Sequence, residues 1–216
     1  MLDFSKAPCF GRVEGLKTAL TMLHDIKPRG TVIVETGTTR GSLGGGVEGD
    51  GWATLLFGWY CKSYEGKITT IDIVPEAIEE CKEITKDYSD VISYRVGNSV
   101  EIIAKDLNEP IDLLYLDSAN DPQITLNELK AAESKISNQT IIYIDDTSLA
   151  KKRPGGVCKG ILAHKYLFDK GWRIVFDNGD QIIMKYNGET PSLLEKMIVG
   201  LKTKYLYKRV LRRGAL

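Results

Sequence analysis

The chain has 216 residues, 43% of them hydrophobic and 27% charged, with 29 Lys and Arg set against 29 Asp and Glu. That length suits one domain with a sizeable core, and the balanced charge excludes a global positive field, so no sequence-specific nucleic acid is expected as a partner. No stretch approaches the roughly 20 apolar residues that span a bilayer. The opening MLDFSKAPCFGRVEG has no continuous apolar run behind a basic start, which leaves a cytoplasmic location as the expectation. Cys9, Cys61, Cys81 and Cys158 lie far apart without paired metal-ligand spacing and are expected as reduced thiols. His24 and His164 are isolated and read as structural or surface residues.

In chain order, residues 12–26 place Val13, Leu16, Ala19, Leu20 and Leu23 on one stripe, which predicts a helix covering the sheet or the cleft. From residue 31, short β-branched runs alternate with helical segments. Strands are expected at 31–36 (TVIVET), 67–73 (KITTIDI), 91–96 (VISYRV), 111–117 (IDLLYLD) and 140–146 (TIIYIDD), near-continuous apolar runs suited to burial on both faces. Helices are expected at 52–62, 75–87, 99–107 and 122–136, two of them with Pro at the first turn.

A loop, SLAKKRPGG, leads into a helix around 159–170 and then strands at 172–176 and 181–186. The four residues DNGD between those strands are too few for a crossover, so the pair forms an antiparallel hairpin. The expected fold is α/β: a Rossmann-like, seven-stranded, mostly parallel sheet with helices on both faces and a C-terminal antiparallel hairpin. Residues 1–190 form the main domain, and 191–216 a basic helical appendage. Within 193–213, Lys196, Lys202, Lys204, Lys208, Arg209, Arg212 and Arg213 face one acid, Glu195. Such a segment suits weak peripheral contact with an anionic membrane, an acidic glycan, a partner subunit in a homo-oligomer, or simply solvent.

Chemistry concentrates at the carboxyl ends of the strands. ETGTTRG (35–41) brings an acid and two glycines to the tip of the first strand, where ligands of open α/β sheets bind. Its spacing is not the G-x-G-x-x-G of dinucleotide enzymes, which disfavours an oxidoreductase. Asp72 ends the second strand, where a carboxylate can accept from both hydroxyls of a ribose. After the third strand, Asn98 either pairs with a base edge or caps the next helix, and Ser99 likewise contacts ligand or caps. The fourth and fifth strands end in Asp117 and in Asp145 and Asp146. Three carboxylates there could hold Mg²⁺ or another divalent cation, or Asp117 could act as a base without metal while Asp145 and Asp146 cap the following loop. The stretch 42–51 (SLGGGVEGDG), with five glycines, suits a lid attached to the first turn.

ETGTTRG, TTIDIVPEAIEEC, VGNS, LLYLDS and IIYIDD, in this order and spacing, resemble the class I S-adenosylmethionine-dependent methyltransferases, in the branch that includes small-molecule and sugar O-methyltransferases. The resemblance spans roughly residues 30–186. It implies that Glu35, Gly37 and Gly41 lie along the methionine end of S-adenosylmethionine, Asp72 on the ribose and Asn98 near the adenine. Thr38, Ile73, Ser99, Asp117 and Ser118 complete the implied cofactor set. Asp117 and Asp146 are the implied catalytic residues, and Asp117, Asp145 and Asp146 the implied metal ligands. The expected activity is O-methylation of a sugar, glycan or other small-molecule hydroxyl. A cofactor-binding module without catalysis, or a dinucleotide oxidoreductase, is the competing expectation.

Overall fold

The computed structural model describes residues 2–8, 13–41, 52–147 and 158–212, the last four as backbone only. The glycine-rich stretch 42–51 expected as a lid, the loop SLAKKRPGG and Cys9 lie outside the described residues. The chain runs α1 (Glu14–Ile26), β1 (Val32–Thr36), α2 (Ala53–Ser63), β2 (Lys67–Asp72), α3 (Pro75–Ile84), a short 3₁₀ turn (Lys86–Tyr88) and β3 (Ile92–Val96). It continues through α4 (Ser99–Lys105), β4 (Leu113–Leu116), α5 (Pro122–Ala132), β5 (Ile141–Ile144), α6 (Ile161–Asp169), β6 (Trp172–Asp177), β7 (Ile182–Tyr186) and α7 (Leu193–Arg212).

The seven strands form one sheet in the order β3-β2-β1-β4-β5-β7-β6. The first five are parallel. The expected hairpin closes the far edge, with β7 antiparallel to both β5 and β6. The alternating direction of side chains along a strand divides the interior into two cores. In β4, Leu113 and Tyr115 face α1 and α2, whereas Leu114 and Leu116 face α4, α5 and α6. Ile141 and Tyr143 alternate with Ile142 and Ile144 in β5 in the same way. With both faces covered, the central strands carry no polar side chain over LLYL and IIYI apart from the two tyrosines.

Helix α2 is apolar almost all round, and every residue from Ala53 to Cys61 is buried. Helices α3 and α5 start with Pro at their first turn, and Asp121 caps α5 by accepting from the Gln123 amide. Helix α7 packs by Thr203 and Leu206, both buried, with Leu206 joining the core beside α6. Cys61, Cys81 and Cys158 are all buried, Cys61 in the core under α1 and α2 and Cys158 in the other.

Chain order reverses direction across the sheet between β1 and β4: β2 and β3 lie to one side, β4 and β5 to the other. A crevice opens outside the carboxyl ends of strands at such a switch point. Every candidate residue of the strand tips therefore converges on one edge of the sheet.

Candidate functional site

Gly37 follows β1 with φ 78°, and a Cβ there would stand 2.4 Å from the main-chain oxygen of Asp117. No other residue fits this turn, because both the left-handed backbone and the contact with the β4 tip forbid a side chain. The two tips close into one wall of a cavity of about 500 Å³. Gly37, Asp72, Ile73, Asn98, Ser99 and Ser118, six of the ten residues expected around the cofactor, line it.

Asp72 is held by two backbone amides: Thr38 donates to Oδ2 at 3.3 Å and Val74 to Oδ1 at 2.9 Å. Each carboxylate oxygen keeps a second acceptor site, enough for a vicinal diol. Asn98 caps α4, its Oδ1 accepting from Val100 and Glu101. Its side-chain oxygen is therefore committed to the helix, although the residue borders the cavity. Ser99 turns its hydroxyl inward to Glu128 at 2.5 Å.

Glu35, Thr38 and Gly41 sit behind this wall. Glu35 is buried and accepts a hydrogen bond of 2.6 Å from Thr54. Thr54 and Thr39 bond reciprocally, hydroxyl to amide, at 3.0 and 3.1 Å. Thr70 donates to Thr38 at 3.0 Å. This chain of threonines ties the turn after β1 to the first turn of α2 and to β2. Gly41 lies against Ile84 of α3.

Glu128 of α5 escaped the sequence reading. It is fully buried, and Thr36 joins Ser99 in donating to it. Burial raises its pKa, against the lowering effect of the Ser118, Ser99 and Thr36 hydroxyls. The signal lay in its spacing: Thr125, Glu128, Leu129 and Ala132 form the buried stripe of α5, so an acid occupies a core position.

On the other side of the β4 tip, Lys159 enters from the start of α6 with its side chain 1% exposed. Its Nζ lies 2.5 Å from Asp117 Oδ1 and 4.0 Å from Asp146 Oδ2. The Tyr115 hydroxyl lies 3.2 Å from Asp117 Oδ2 and 3.0 Å from Asp145 Oδ2. Asp145 also accepts from the Asp146 amide at 2.8 Å, and Asp146 turns the chain with φ 47°. Burial pushes the Asp117 carboxyl up, opposed by the Lys159 ammonium and reinforced by the charges of Asp145 and Asp146. Burial lowers Lys159, but Asp117, Asp146 and Asp145 outweigh it and hold the ammonium above its ordinary value. Tyr115 is raised well above its ordinary value by burial and by the charges of Asp117 and Asp145.

At Asp117, Asp145 and Asp146, expected as a divalent-cation site, the structure sets the Lys159 ammonium beside two of the carboxylates. Among the described residues no group of three acidic, His or Cys side chains is disposed to hold a metal. Among the described residues the ammonium of Lys159 faces these carboxylates, and a divalent ion there would meet a buried like charge.

Residues 48–147 match a family model described as a methyltransferase domain. No curated protein sequence matches the chain. Among solved structures, the TDP-rhamnose 3′-O-methyltransferase CalS11 of calicheamicin biosynthesis is 16% identical, with a TM-score of 0.57 over 80% of each chain. The SAH-bound methyltransferase PaMTH1 of Podospora anserina is 16% identical, with a TM-score of 0.60 over 82% of this chain and 79% of its own. An O-methyltransferase of Bacillus cereus in complex with SAH gives 16% and 0.53 over 78% of this chain and 79% of its own. At such identity the structures share the fold. The methyltransferase-domain match itself covers residues 48–147, somewhat under half of the chain.

Proposed function

We propose that the chain transfers a methyl group from S-adenosylmethionine to a hydroxyl of a sugar, glycan or other small molecule, with residues 1–190 as the catalytic domain. The observation that carries the cofactor half is the Gly37 turn pressed on the Asp117 backbone beside Asp72, over a cavity of about 500 Å³. Asp72 would take the ribose hydroxyls, and Ile73, Asn98, Ser99 and Ser118 would line the adenine side. Glu35, Thr38 and Gly41 would shape the turn toward the methionine end. When bound, S-adenosylmethionine supplies a methyl on a sulfonium, already activated for displacement.

The protein's own work is alignment and removal of one proton. Asp117 follows the tip of β4, its side chain 29% exposed and its carboxyl raised by burial, which suits a base near neutral pH. Its carboxylate would accept the acceptor hydroxyl's proton as that oxygen bonds to the methyl carbon. Lys159 remains an ammonium, so it holds Asp117 in place and offers positive charge to the developing alkoxide. Asp146 flanks the same ammonium at 4.0 Å. No step runs through a metal. A sugar-like acceptor is supported by the likeness to CalS11, which acts on a TDP-rhamnose.

Calorimetry with S-adenosylmethionine tests the first half: saturable binding is expected, and no heat up to millimolar cofactor would overturn the reading. A parallel thermal-shift series with NAD and NADP should leave the melting temperature unmoved, whereas a rise would favour an oxidoreductase.

A further inference from the structure

Helix α7 buries one side and leaves the other bare. Thr203 and Leu206 are buried on the side toward α6, and Val199 shares that side with His164 and Ile161 in a small cleft. Leu193, Leu194, Met197, Ile198, Leu201 and Tyr205 are 57% to 77% exposed. At about 100° per residue these six occupy one continuous arc opposite the packed side, which the 3.6-residue period dictates for spacings of four and one. Lys202, Lys204 and Lys208 are exposed along the helix's second half, on or beside the same arc. No helix among the described residues is long and apolar enough to cross a membrane.

We propose that α7 is a docking helix that lies in the plane of an anionic lipid bilayer, with its apolar arc among the acyl chains and its lysines at the headgroups. Three observations select that occupant. Large apolar side chains exposed in one contiguous stripe mark an interaction surface rather than scattered surface residues. The segment 193–213 carries seven Lys or Arg against Glu195, whereas the chain as a whole has a net charge of +0, so the rest of the molecule is net acidic. The positive charge is therefore concentrated where the apolar stripe is. A second copy pairing through the same face would set two basic helices against each other, which charge repulsion opposes. An amphipathic helix with cations beside its apolar face matches an anionic interface instead, where both features act together.

The test is co-sedimentation of the full chain with vesicles of phosphatidylcholine alone and of phosphatidylcholine mixed with phosphatidylglycerol. Binding to the mixed vesicles is expected to exceed binding to neutral ones by at least about tenfold and to weaken as salt rises. The variant L194S/I198S/L201S removes three exposed apolar groups, and K202E/K204E/K208E reverses three charges. Each should cut binding to mixed vesicles by about tenfold or more with an unchanged circular dichroism spectrum. Equal partition onto both vesicles, or undiminished binding by either variant, overturns the proposal. So does a concentration-dependent dimer in sedimentation velocity that the serine variant abolishes while vesicle binding is absent.

Discussion

Asp117 accepts an ammonium from one side and a phenol from the other, so its ionisation governs the whole cluster. A base must be deprotonated to work, and burial raises this carboxyl. The rate should therefore fall as pH is lowered, with an acid limb well above the ordinary Asp value of about 3.9. Asp117→Asn should reduce kcat by about 10²–10⁴-fold while S-adenosylmethionine affinity stays within about tenfold. Loss of binding instead would move the residue into the cofactor's shell. Lys159→Met takes the ammonium away from Asp117, so kcat should drop about 10²-fold. The wild-type rate should survive EDTA. A chelator-sensitive rate restored by Mg²⁺ would return the carboxylates to metal ligation. Asp72 and Gly37 were legible in sequence as strand-tip residues, and both line the cavity. Asn98 was open between base contact and cap, and its oxygen proved to be bonded to two α4 amides.

Among the elements, α5 contributes most to the site without being a strand tip. Its Glu128 anchors Thr36 of β1 and Ser99 of α4 to one buried carboxylate, fixing two cavity walls relative to each other. Glu128→Ala would leave those hydroxyls facing a void, costing about 1–3 kcal/mol, which for a chain of this size is a melting temperature lower by roughly 2–12 °C. Glu128→Gln keeps one acceptor oxygen and sets an amide donor against the other hydroxyl, which can turn to accept it, and should recover most of that loss in the same melting experiment. Hydrophobic periodicity located these helices well, because α5 and α1 each carry one buried stripe. Glu128 went unnoticed on that stripe, and periodicity could not have said which hydroxyls it meets, since Thr36 and Ser99 are 92 and 29 residues away.

At the scale of the whole molecule, the sheet has a core on each face, and the central strands belong to both. Leu114→Ala empties part of the face covered by α4, α5 and α6 and should cost about 2–5 kcal/mol in chemical denaturation. The α1 and α2 face contributes to the site differently, through Thr54 at the start of α2, whose hydroxyl meets Glu35. With both sheet faces closed, α7 carries the main apolar exposure among the described residues, which is why that helix reads as a surface for something else.

Element types, the parallel-then-hairpin order and the strand-tip positions of Glu35, Asp72, Asp117, Asp145 and Asp146 were determined by the sequence alone. Apolar runs, turn residues and crossover lengths act within about a dozen neighbouring residues, and they leave few ways to build the sheet. What only the tertiary structure decided was which polar groups meet. Lys159 stands 42 residues from Asp117 and is carried to it by the return of the chain through β5 into α6. Three carboxylates in sequence look like a metal site; the fold sets a buried ammonium among them, and charge at such a site depends on every group brought within a few ångströms.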